Sequence, residues 1–172
     1  MLKKYVAAIC SVLVLLCLVA VPVGAISEAQ QTVISDHCGA IKEDLKNVQR
    51  ADARARVYIG GRYETILSDF VKPLNLGLVE KNLSRTELIE SQNAILGEKL
   101  EFANDYIDYQ QGLEQLVAMD CKAEPEKFYD KLVRVRQKRK KVEQDMQKMA
   151  KILEEYKAQV VKLKEVVSGK TK

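Results

Sequence analysis

Apolar residues in the last third of the chain recur in alternating steps of four and three. Positions 128, 132, 135, 139, 142, 146, 149, 153, 156, 160, 163 and 167 carry Phe, Leu, Val, Arg, Val, Met, Met, Leu, Tyr, Val, Leu and Val. Only Arg139 interrupts the apolar series. A seam sustained over that many heptads argues for one long helix with a coiled-coil-like face. Pro125 suits the first helical turn, where its missing N–H is harmless, and Gly169 suits the stop. The predicted helix covers 124–168 and is roughly 65 Å long at 1.5 Å per residue.

A second helix is predicted over 84–119. Ser84 and Glu87 have the spacing of a capping box, in which each side chain satisfies the other residue's amide. The seam runs through Leu88, Gln92, Ile95, Lys99, Phe102, Tyr106, Tyr109, Leu113 and Leu116. Its aromatic stripe, Phe102, Tyr106 and Tyr109, reads as core packing with the tyrosine hydroxyls at the rim. Upstream, Cys38, Ile41, Leu45, Val48, Asp52, Ala55 and Ile59 mark a helix over 35–59. Tyr63, Ile66, Phe70 and Leu74 continue the pattern over 62–81. Gly60-Gly61 weakens the join between these pieces, and Pro73 imposes a kink or break.

Short turns near 81–83 and 121–124 oblige three long arms to run up, down and up. The expected fold is therefore all-α: an elongated up-down-up three-helix bundle or antiparallel coiled coil. Its first arm is kinked or broken near Gly60-Gly61 and Pro73. The bundle domain spans 26–168, and 169–172 read as a disordered tail.

Residues 1–25 read as a secretory leader. Lys3 and Lys4 precede an apolar run from Val6 to Val21, Pro22 breaks it, and Val23-Gly24-Ala25 supplies the small residues of a cleavage site. The alternative is an uncleaved anchor, because 5–23 is just long enough to span roughly 30 Å of hydrocarbon. Both readings place the remainder in a secreted or extracytoplasmic setting, membrane-held only if the leader stays attached. Cys10 and Cys17 follow Ile9 and Leu16, so neither has the small residue before it that lipid attachment needs.

Composition agrees with long helices: charged residues are 30% of the chain and Trp is absent. The formal net charge is +4, too mild to imply sequence-specific nucleic-acid binding. Beyond the leader only Cys38 and Cys121 remain. One opens the first arm and the other closes the second, so antiparallel packing brings both to the same end. An exported setting permits a disulfide between them. The rival is a zinc site drawn from Asp36, His37, Cys38, Asp120 and Cys121, which lacks CxxC or HxxxH spacing. The expectation is a disulfide, no metal and no cofactor.

Asp52 and Arg139 are the polar residues on otherwise apolar seams. Counting rise per residue from the cysteine end puts them at a similar height to Asn104 and Asp105. A buried polar layer of Asp52, Arg139, Asn104 and Asp105 is expected, with Arg54, Arg56 or Lys99 as further members. The run Arg134, Arg136, Lys138, Lys140 and Lys141 supports two readings. One is a solvated helix face paired with Asp130, Glu143 and Asp145. The other is a contact for an anionic envelope polymer.

In its leader, its wide Cys38…Cys121 spacing and its helix seams, the chain resembles uncharacterised secreted helical proteins of small-genome bacteria. That likeness carries no catalytic motif and transfers no site. In size, export and mild basicity the chain is also similar to Skp-type periplasmic holdase chaperones. Those have β segments that build a trimeric body, and nothing here reads as such strands. With one histidine and no Gly-rich loop, no enzymatic activity is expected. The expected role is that of an exported interaction or scaffold protein of the cell envelope, engaging a protein partner or a second copy through a helix seam. A holdase and a polymer binder are the alternatives.

Overall fold

The computed structural model describes residues 26–83 and 85–169. The leader, Ser84 of the expected capping box and residues 170–172 lie outside the described residues. Among the described residues every element is helical: α1 (Glu28–Asp36), α2 (Cys38–Thr65), a π segment (Ile66–Val71), α3 (Lys72–Glu80), α4 (Thr86–Ala118) and α5 (Pro125–Val167).

Helix begins earlier than the periodicity predicts. The Ser27 hydroxyl accepts from the Gln30 N–H at 3.3 Å, and Gln30 Oε1 accepts from the Ser27 N–H at 3.0 Å. This reciprocal cap starts α1 at Glu28 rather than near residue 35. His37 forms the joint with α2, at φ −100° and ψ 12°.

The expected break at Gly60-Gly61 does not occur, and α2 runs through both glycines. Each costs about 1 kcal/mol relative to alanine in a helix. The next turn is anchored: Tyr63 packs on the core and its hydroxyl donates to the Met146 carbonyl at 3.3 Å. The irregularity falls instead at 66–71, where the Lys72 N–H donates to the Leu67 carbonyl five residues back. Pro73 supplies the reason. In an ordinary turn its ring would meet the Asp69 carbonyl, and it has no N–H to offer; the wider π turn makes room. Pro73 then sits in the first turn of α3 and the helical rod continues to Glu80.

One extra residue in the turn rotates the face that follows by about 100°. Leu67, Val71 and Asn75 are buried, whereas Phe70 is 65% exposed and Leu74 37%. The expected inward positions Phe70 and Leu74 are thus displaced by one residue. Asn82, at φ 54°, then ends the rod. Its N–H donates to Val79 and that of Leu83 to Leu78, at 3.0 and 2.8 Å, the bonding pattern of a left-handed helix cap.

α4 and α5 are the principal packing pair. The buried series on α4 is Leu88, Ile95, Phe102, Tyr109 and Leu116; on α5 it is Phe128, Val135, Val142, Met149, Tyr156 and Leu163. Both series step by seven, so each helix presents one continuous line to the core. The seam of α5 is covered by the chain itself. Gly112 allows close approach at its level, since a Cβ there would stand 3.3 Å from Val135 Cγ2. Charge reinforces the pairing: α4 carries seven acidic residues and one basic, α5 thirteen basic and seven acidic.

Cys38 and Cys121 are both buried and disulfide-bonded, with Cα atoms 5.6 Å apart. The bond ties the start of α2 to the turn after α4, as the helix count requires. It also uses both thiolates of the rival zinc set. No described helix is long and apolar enough to cross a membrane.

Candidate functional site

α2 packs on α4 less extensively than α4 packs on α5. A cleft of about 350 Å³ remains among the three helices, lined by Asp52 and Arg56 from α2, Phe102, Tyr106 and Tyr109 from α4, and Arg139 from α5 among others. The seam positions of the three helices meet here. The outlying polar residues of two seams are each other's partners.

Arg139 holds Asp52 with two parallel hydrogen bonds, Nε to Oδ2 at 2.7 Å and an amino group to Oδ1 at 2.9 Å. Fork-to-carboxylate geometry of this kind is the stronger form of ion pair. The Tyr109 hydroxyl donates to the same Oδ2 at 2.7 Å, so it points inward to the pair rather than to the rim. Arg56, one turn beyond Asp52, lies 4.9 Å from the centre of the Tyr106 ring, within cation–π range. Burial alone would raise the Asp52 carboxyl, but the hydrogen bonds from Arg139 and Tyr109 outweigh it and hold it below the usual carboxylate range. Burial, and the carboxylate it donates to, push the Tyr109 hydroxyl well above its ordinary value. The Asp52 contact raises Arg139 further.

The expected layer is therefore smaller and wetter than four buried groups. The Arg139 side chain is 58% exposed while that of Asp52 is 18% exposed, which makes this a rim pair with one sheltered member. Asn104 is exposed and takes no part. Similar height does not fix the angle around a helix, and one residue from Asp105 is about 100°. Asp105 pairs with Lys141 at 2.8 Å instead. Arg54 donates to its own helix at Arg50, and Lys99 pairs with Glu64 farther along.

The basic run is divided. Lys138 bonds Asp108 at 2.6 Å and Lys141 bonds Asp105, so its partners come from α4 rather than from Asp130 and Glu143 on its own helix. Arg134, Arg136 and Lys140 enter no ion pair among the described residues. Arg136 edges a second cavity of about 350 Å³ between α1 and the first turns of α5, where Val33, Ile34, Ile41, Phe128 and Leu132 are apolar walls.

Two features were not anticipated from the sequence. Asn75 is buried and its amide donates to the Leu88 carbonyl at 3.1 Å and to Gln92 Oε1 at 2.9 Å, while its carbonyl accepts from the Tyr156 hydroxyl at 2.9 Å. This knot ties α3, α4 and α5 at the end away from the disulfide. The second is an outer seam on α4: Ile89, Leu96, Leu100 and Ile107 are all exposed. With Asn93 and Ala103 between them they repeat the four–three spacing, one residue offset from the buried seam.

No family model, curated protein or solved structure matches the chain. Its function is thus argued from its own surfaces.

Proposed function

We propose that this chain is an exported, non-enzymatic helical interaction protein that presents one face of α4 to a partner helix. The outer seam of α4 carries this reading. Aliphatic residues at heptad spacing are what a second helix recognises, and the inner seam of α4 is already filled by α5. The reading includes an up-down-up arrangement of the α2–α3 rod, α4 and α5 as an antiparallel coiled coil. The sevenfold buried series and the disulfide between the start of α2 and the end of α4 support it.

Binding is favoured over catalysis because Asp52 is shifted down and Tyr109 and Arg139 up, so these groups offer the cleft no proton to exchange near pH 7. The disulfide suits an oxidising, extracytoplasmic compartment. A holdase is less well supported, because the exposed apolar residues on α4 form a line rather than a broad concave lining. A polymer contact through Arg134, Arg136 and Lys140 is weaker still, since Lys138 and Lys141 of the same run are committed to Asp108 and Asp105.

The test is site-specific photo-crosslinking from Leu96 or Leu100 in native cells, with a probe at Glu154 on α5 as control. One or two defined envelope partners should be captured at α4 and not at the control. Diffuse capture, together with stoichiometric suppression of aggregation of unfolded exported proteins, would replace the scaffold reading with the holdase.

A further inference from the structure

The α4–α5 interface has a regular charge ladder with one inverted rung. Lys131 meets Gln115, Lys138 meets Asp108, Lys141 meets Asp105 and Lys148 meets Glu98. The residue numbers of each pair sum to the same value, so the register is constant. On that register the residue facing Glu101 is Asp145, an acid where its neighbours at heptad spacing would call for a lysine. Asp145 is not at the surface: it is 0% exposed.

Four carboxylates therefore gather around this rung: Glu98, Glu101 and Asp105 from α4, and Asp145 from α5. Oxygens of Glu98, Glu101 and Asp145 all lie within 4.8 Å of one another. Asp145 Oδ2, Glu98 Oε1 and Asp105 Oδ2 are buried and accept no hydrogen bond. Two ammonium groups stand nearby. Lys141 is bound to Asp105. Lys148 lies 3.3 Å from Glu98 and 3.5 Å from Asp145, off the hydrogen-bond direction at Glu98. Fully ionised, the four carboxylates exceed the two ammonium groups by two charges; burial, with Asp105 in hydrogen-bond reach, pushes the Asp145 carboxyl above the usual carboxylate range. A buried carboxylate in that state is costly and calls for a compensating charge.

We propose that Glu98, Glu101 and Asp145, with Asp105 beside them, form a binding site for a hard divalent cation of the calcium and magnesium class. The ligand set is all oxygen, which selects such cations over zinc or copper. The separation of the oxygens suits donors on opposite sides of one ion at about 2.4 Å each. One ion would balance the charge excess and give Asp145 Oδ2 its missing partner. Glu101 is exposed and opens the site to solvent, and Lys148, 55% exposed in its side chain, is free to swing outward. The site lies on the α4–α5 pair and is independent of any partner-binding role.

The experiment is thermal unfolding of the full chain, disulfide formed, in metal-free buffer at pH 7. CaCl2, MgCl2 or MnCl2 is titrated to about 10 mM, well above the range of weak extracellular calcium modules, at fixed ionic strength. At least one ion should raise Tm saturably, with a single site by calorimetry and Mn2+ broadening confined to resonances near 98, 101, 105 and 145. Asp145→Asn should abolish the response while raising Tm in metal-free buffer. Glu101→Gln, at an exposed position, should keep the fold and weaken binding roughly tenfold or more. No response to any ion at the top of the titration overturns the proposal. So does an unchanged response in both variants. A Tm that rises only on mild acidification, with no divalent dependence, also overturns it and assigns the site to a proton shared by Asp105 and Asp145.

Discussion

At the scale of residues, the Asp52–Arg139–Tyr109 contact sets an order of mutational costs. Tyr109 is 2% exposed and donates to Asp52. Removing Asp52 strands that hydroxyl and leaves Arg139 to solvent, which already reaches it. Asp52→Ala should therefore cost about 2 kcal/mol, and Arg139→Ala about 1 kcal/mol because the exposed guanidinium is screened. Urea unfolding of both variants and the double mutant measures the order and the coupling; equal costs would contradict the asymmetry. Acid should act on the same contact. Asp52 is held below its ordinary value in the folded chain. Its contribution is therefore complete above the unfolded value of about 4 and is lost as pH falls through the folded one. Asp52→Asn should flatten the decline in unfolding midpoint between about pH 5 and pH 2. Farther along, Asn75→Ala removes three hydrogen bonds from a buried site and should cost about 3 kcal/mol, against about 1 kcal/mol for Tyr156→Phe, which removes a single hydroxyl donor shared between Asn75 Oδ1 and the Val71 carbonyl.

At the scale of elements, the π segment couples a local defect to the choice of inward residues. Deleting exposed Ser68 restores an ordinary turn count while keeping Val71 and Asn75 on the inward side. It also returns the Asp69 carbonyl to the path of the Pro73 ring. The deletion should be clearly destabilising in the native sequence and much less so with Pro73→Ala. A thermodynamic cycle of the two changes reads this directly, and additive effects would break the link between proline and π turn. The same segment shows where the sequence was legible. On α4 and α5 the heptad spacing was unbroken, so buried lines, helix ends at Pro125 and Gly169, and the disulfide all followed from counting. Past residue 65 counting failed, because a single inserted residue leaves no mark on hydropathy except a proline several positions later. The cap at Ser27 and Gln30 was visible as a spacing, but it adjoins the leader and no buried residue of α1 draws attention to it. On charge alone Asp145 reads as a surface partner of the basic run. Only the α4–α5 register shows that it stands one step off the seam and inside.

At the scale of the molecule, the fold is a tight pair, α4 with α5, carrying a longer rod that touches it at separated points. Those points include the disulfide, the Asp52–Arg139 contact, the Tyr63 hydroxyl on Met146, the Glu64–Lys99 pair and the Asn75 knot. The buried apolar residues divide accordingly into a cluster from Cys38 to Met149 and another around Leu67, Leu88 and Tyr156. The half of the rod nearest the disulfide gives the core only one fully covered side chain, Cys38 itself. Its attachment therefore depends on the cross-link more than the far half does. In the chain-entropy model, a bond between residues 83 apart stabilises by about 4.5 kcal/mol. Cys38→Ala with Cys121→Ala should lower the unfolding free energy by about that amount or somewhat less. The loss should also be uneven. Amide exchange in α1 and the first turns of α2 should speed up far more than exchange in α4 and α5, because those turns can detach while the pair stays closed. Hydrogen exchange on the oxidised chain and the double variant separates the cases. A uniform rise across all helices would mean that the rod and the pair unfold as one unit, with these contacts acting together rather than in series.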